Sequence, residues 1–170
     1  GLGDVYKRQF FFLLRVGEYT MPSTRCRTRT VQFRVADIRF YRGGMLISNN
    51  SPLSVLYQAD GVSLRIDNQK NGTRGETIHQ HALPGNLVCP VRALARRVST
   101  VLRLSGSPDT PISPLPSRHA TAAAVRGAVR SAVKQLRLHK QGIRVEDVGS
   151  HSLRAGGAMA MKLNGCDLIS

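Results

Sequence analysis

Residues 62–82 read VSLRIDNQKNGTRGETIHQHA, and this stretch decides the architecture. Val62, Leu64 and Ile66 alternate with Ser63 and Arg65, the period-two pattern of a strand with one buried face. Asn71-Gly72 is a strong turn signal. Glu76 to His81 then supplies a returning arm. The spacing predicts an antiparallel pair over residues 62–70 and 75–82, with Lys70 near its tip.

Toward the amino terminus the pattern stays β-rich. Val31, Phe33 and Val35 alternate with Gln32 and Arg34, which predicts a half-buried strand. Ile38 and Phe40 continue the apolar set after an irregularity at Ala36-Asp37. Gly43-Gly44 is a turn, and Met45 to Ile47 a short return. Arg25, Arg27 and Arg29 also alternate, so an extended backbone would place them on one side. Ser51-Pro52 predicts a short helix that Gly61 ends. Residues 9–20 (QFFFLLRVGEYT) read as a buried helical turn or two with a polar exit. There Arg15 and Glu18 lie three apart and can share a face.

Toward the carboxyl terminus the period becomes helical. Pro90 opens a helix reaching about Leu104, with Leu94, Val98 and Val101 inside and Arg92, Arg96 and Arg97 outside. Residues 105–117 are a Ser/Pro-rich loop. Residues 121–138 form the cleanest helix. Val125, Val129, Val133 and Leu136 face inward there, and Arg126, Arg130, Lys134 and Arg137 form its polar face. A last helix spans residues 150–164, and Gly156-Gly157 allows close backbone approach within it. The class is therefore α+β, mainly helical with a small antiparallel sheet.

Composition narrows the function. The 170 residues carry 25 Lys+Arg against 10 Asp+Glu, a formal charge of +15. Twenty of the 25 cations are arginine, whose planar fork suits phosphate oxygens. A polyanion, most simply nucleic acid, is the expected partner. Cys26, Cys89 and Cys166 are odd in number and lack zinc spacing. His79 and His81 share a strand face, but a metal would need a third ligand, with Cys89 only a loose candidate. No metal or other cofactor is expected. The apolar run at residues 10–14 is too short to span a bilayer, so no membrane partner is expected.

Three separated features carry chemistry: Arg15 within LLRVGE, Lys70 beside the hairpin turn, and His151-Ser152-Leu153-Arg154 opening a helix. A helix start favours an anion, and a histidine and arginine three apart can address one phosphate. In this order LLRVGEYT, the hairpin lysine and HSLRAGGAMAMKLNG resemble the catalytic domain of the tyrosine recombinases, or phage integrase family, of the mobile-element type. The resemblance covers residues 10–170. It implies that Arg15 and Arg154 clamp the scissile phosphate and that Lys70 protonates the leaving 5′ oxygen. It implies further that His151 assists proton transfer and Glu18 supports the site. Arg25, Arg27, Arg29 and Arg74 are then expected contacts to double-stranded DNA. The family's tyrosine attacks a phosphodiester and forms a 3′-phosphotyrosyl link, needing neither ATP nor an obligatory metal.

The departure lies in the nucleophile. Tyr6, Tyr19, Tyr41 and Tyr57 all precede Lys70, so none occupies the nucleophile's place. The resemblance puts the second histidine or tryptophan and the tyrosine after Ser170. Residues 1–9 (GLGDVYKRQ) read as a non-native leader, and residues 10–170 as a partial catalytic domain. The expectation is a DNA-binding fragment of a site-specific recombinase or integrase, inactive alone and tetrameric on DNA when full length. Its place of work would be the nucleus of a eukaryote, or otherwise the cytoplasm and nucleoid. The alternative is a non-catalytic DNA-binding remnant of a mobile element.

Overall fold

The computed structural model describes residues 11–12, 14, 32–66, 75–83, 89–112 and 122–163. Four strands form one antiparallel sheet: β1 (Ile38–Arg42), β2 (Met45–Ile47), β3 (Gly61–Ile66) and β4 (Glu76–His81), in the order β2-β1-β3-β4. Four α-helices accompany it among the described residues: α1 (Leu53–Leu56), α2 (Pro90–Ser105), α3 (Ala122–Gln135) and α4 (Ser150–Leu163). The fold is α+β.

The β1-β2 connection is dictated by glycine. Arg42 pairs with Met45 across a two-residue loop, and Gly43 and Gly44 both take positive φ, 56° and 79°. That is the turn whose twist matches its strands, and side chains rarely tolerate it. The Gly43 N–H also donates to the Asp60 carboxylate at 2.5 Å.

The β3-β4 pair keeps the register that the alternation demands. Val62 faces Gln80, Leu64 faces Ile78 and Ile66 faces Glu76 on one side, while Ser63 faces His79 and Arg65 faces Thr77 on the other. Ile38 and Phe40 of β1 pair with Leu64 and Val62, completing the apolar side. Helix α2 covers that side with Val91, Leu94, Ala95, Val98 and Val101, all buried. Pro90 occupies its first turn, where a missing N–H costs nothing. Gly106 ends it in the left-handed region at φ 67°, and its N–H reaches the Leu102 carbonyl at 2.8 Å. Phe12 and Leu14 join the same core, and Gln80 Nε2 donates to the Phe11 carbonyl at 2.8 Å.

Four readings of the sequence need correction. Of the strand expected at Val31, Phe33 and Val35, Val31 lies outside the described residues, and the rest is instead a single bridge, Arg34 to Pro111, followed by a 3-10 turn at Val35–Asp37. The Asp37 carboxylate accepts the Arg34 N–H at 2.8 Å, a local bond that competes with a ladder. Helix α1 stops at Leu56, and Gly61 opens β3 rather than closing a helix. Leu136 is 68% exposed, because α3 ends at Gln135 and Arg137 turns left-handed at φ 52°. Arg92, Arg96 and Arg97 are half-buried rather than outside, and Arg97 Nε donates to the Ile112 carbonyl. Of the glycine pair, Gly157 is buried and Gly156 exposed.

The 3-10 turn is held onto the sheet by one side chain. Asn49 Nδ2 donates to the Val35 carbonyl at 3.0 Å and to the Ile38 carbonyl at 2.9 Å. Asn49→Ala leaves two partly buried carbonyls without that donor, so urea titration should show a loss of about 1–3 kcal/mol. An unchanged midpoint and slope would show that water replaces the amide at no cost.

Candidate functional site

Helix α4 begins as the sequence predicts, with Ser150 as its first residue and His151 and Arg154 one turn apart. His151 is exposed and Arg154 half-buried. The entry to the helix is built from short-range bonds. The Gly149 N–H donates to Ser152 Oγ at 3.0 Å, and the Ser152 N–H donates to the Gly149 carbonyl at 3.1 Å. This reciprocal pair satisfies an N-terminal amide and fixes the first turn.

The approach to that turn is gripped from α3. Arg130 Nε donates to the Val148 carbonyl and its Nη2 to the Glu146 carbonyl, each at 3.0 Å. Arg130, which the sequence offers only as part of a polar helix face, is therefore a positioning residue for α4. Arg144 closes the same turn on Asp147 through two bonds of 2.8 and 3.0 Å. The hydrogen bond from Arg144 holds the Asp147 carboxyl below its ordinary value. Such a lowered group contributes stability above the ordinary carboxylate range and loses it as pH falls through the lowered value. Asp147 thus pairs with Arg144, which Glu146 also approaches at 3.8 Å, and neither acid bonds Arg154.

Of the sequence-derived candidates, His151 and Arg154 are the ones among the described residues, one helical turn apart on α4. Arg15, Glu18, Lys70, Arg25, Arg27, Arg29 and Arg74 lie outside the described residues. The arms flanking Lys70 and Arg74 are described. Ile66 ends β3, and its carbonyl accepts the Gly75 N–H at 3.0 Å.

A second group emerges on the side of the sheet away from α2. A cleft of about 550 Å³ is lined by Arg34, Arg39, Tyr41, Ser63, Arg65 and His79, among others. Arg39, Ser63 and His79 stand directly opposite one another across three strands. Ser63 forms the floor at 3% exposed, and its hydroxyl lies 3.2 Å from Tyr41 Oη. Arg39, Arg65 and His79 are exposed around it. The alternation that puts Ile38, Phe40 and Leu64 inside forces Arg39, Tyr41 and Arg65 to the opposite face. That phase is the signal in the sequence from which this group could be read.

Comparison with known protein families, with characterised proteins and with solved structures finds no match to the chain. Among the described residues no group of three or more His, Cys, Asp or Glu side chains gathers as a metal site. No helix among them is long and apolar enough to cross a membrane.

The grip from α3 gives a direct expectation. Arg130→Ala should lower the local stability of the α4 entry by about 2 kcal/mol, the scale of lost hydrogen bonds from a charged donor. Amide exchange over residues 149–154 should quicken while that of β3 stays unchanged. Equal exchange at the α4 entry in both proteins would remove Arg130 from this role.

Proposed function

We propose that this chain is a DNA-binding portion of a tyrosine-recombinase-type catalytic domain. His151 and Arg154 act on the scissile phosphate, together with Arg15 and Lys70. The observation that carries the reading is the placement of an H-x-x-R motif on the opening turn of α4. There the helix dipole favours an anion, and the two side chains, three residues apart, share one face. Three further features support it. LLRVGE precedes the hairpin, and the hairpin precedes HSLRAGGA, in the family's order. The strands flanking Lys70 pair antiparallel, as a lysine carried on a β-hairpin requires. The charge of +15 favours a polyanionic substrate.

The chemistry assigns each group a role. The transition state of phosphodiester transfer gathers negative charge on nonbridging oxygens, and two arginines neutralise it through paired N–H donors. Lys70 supplies a proton to the departing 5′ oxygen, and His151 assists proton transfer. Glu18 supports the arginine clamp. The resemblance places the family's nucleophilic tyrosine, and a second histidine or tryptophan, C-terminal to the helix that carries His151 and Arg154. The whole protein would exchange strands as a tetramer on two duplexes, in the nucleus if the host is a eukaryote and otherwise in the cytoplasm or nucleoid. A non-catalytic remnant would retain the affinity for DNA without the transfer chemistry.

Two measurements test this. The chain should bind duplex DNA with log K falling linearly in log salt, at about 0.9 per phosphate contacted. Absent or salt-insensitive binding would refute the reading. In the protein continued through its tyrosine, Arg154→Ala should slow cleavage of a suicide substrate by roughly 10²–10³, as for the loss of one oxyanion donor. Cleavage at the unaltered rate would remove Arg154 from the phosphate.

A further inference from the structure

We infer that the cleft on the open face of the sheet is a second DNA-backbone site, in which Arg39 donates to phosphodiester oxygens over the Ser63-Tyr41 floor. The inference rests on the DNA-binding reading above but uses none of the residues in the α4 site.

Two independent observations point to an anion. The first is unspent donor capacity. Arg39 is exposed and makes no hydrogen bond or ion pair among the described residues. Arg34 Nε is buried and is the one such side-chain atom, among the described residues, with no partner. Both residues line the same cleft. A buried N–H left unpaired is costly, and Arg39, the exposed member of the two, is the one placed to donate to an acceptor-only ligand in the cleft. The second is charge. Arg34, Arg39 and Arg65 line the cleft with a single lining carboxylate, Asp37, and Arg65 already has an interaction of its own. Asp37 is already engaged by the Arg34 backbone at 2.8 Å and by its guanidinium at 3.5 Å. Asp109, outside the lining, reaches Arg34 Nη1 at 3.5 Å and leaves Arg39 untouched.

The shape selects a polymer over a small ion. Arg39, Ser63 and His79 form one row across β1, β3 and β4. Neighbouring strands lie about 4.8 Å apart, so the row spans roughly 10 Å. Arg39 and Arg65 are diagonal neighbours on the sheet, about 7–8 Å apart at the backbone. That separation is comparable with adjacent phosphates along one strand. A cleft of about 550 Å³ crossing three strands accommodates a length of backbone.

The experiment is a set of duplex-DNA titrations at several salt concentrations. It uses the unaltered chain, Arg39→Ala, Arg39→Lys and the pair His151→Ala/Arg154→Ala. Arg39 is exposed, so its replacement leaves the core intact. Arg39→Ala should weaken binding about tenfold at low salt, the scale of one charged hydrogen bond. It should also reduce the salt slope by about 0.9, and Arg39→Lys should restore that slope. If Arg39→Ala changes neither affinity nor slope while the α4 pair weakens binding, the sheet site is refuted and the α4 reading stands. If Arg39→Ala weakens binding and lowers the slope while the α4 pair has no effect, the sheet site stands and the α4 reading falls. No binding by the unaltered chain overturns both.

Discussion

Strand β3 is the constraint on which the rest depends. It is the inner strand between β1 and β4, and five of its six residues are buried. Val62, Leu64 and Ile66 must reach the apolar layer that α2 closes. Each such side chain contributes about 1.5–3 kcal/mol when withdrawn from water. A slip of one residue would send all three to the polar side, so the register is strongly fixed. Once it is fixed, Ser63 has nowhere to go but beneath Arg39 and Tyr41. The packed core and the donor-lined cleft are thus two faces of one decision.

The same logic explains why the cations gather where they do. A strand that turns its even-numbered positions toward the core turns its odd-numbered ones toward the opposite face. β1 and β3 therefore present Arg39, Tyr41 and Arg65 side by side without any need for special loops. α3 and α4 follow another principle. α3 contributes Val125 to the main core and, through Arg130, grips the turn ahead of α4. Order at His151 and Arg154 therefore comes from hydrogen bonds to backbone carbonyls more than from apolar burial.

Much of this was legible in the sequence, for stated reasons. The antiparallel pairing of Gly61–Ile66 with Glu76–His81, the Gly43-Gly44 turn, and the helices opening at Pro90 and Ser150 rest on periodicity and on local turn or capping chemistry, while the expected Asn71-Gly72 turn lies outside the described residues. The failures share a cause in distant partners. The Val31-Phe33-Val35 alternation is genuine, but Val35 finds Thr110 and Ala36 finds Pro108 through backbone bonds, and Asp37 folds back on Arg34. Leu136 fits the α3 stripe until Arg137 reverses the chain. Arg97 looks external until the Ile112 carbonyl draws it in. At the candidate site the motif H-x-x-R was readable as two residues on one helical face. The role of Arg130 was not, because its acceptors lie 16 and 18 residues away. The grouping of Arg39 with Arg65 needed the register of β1 against β3.

The attachment of α4 has a consequence for how the protein opens. Its described residues add none to the main hydrophobic cluster, and Met159 and Leu163 stand 58% and 78% exposed. Sub-global opening follows apolar burial, so α4 should detach at a free energy well below that of the β3-α2 layer. His151 and Arg154 then ride on the segment most readily reorganised, and a polyanion bound at its first turn would stabilise the docked form by mass action. Ligand and helix would order one another, making the docked state of α4 conditional on what binds it.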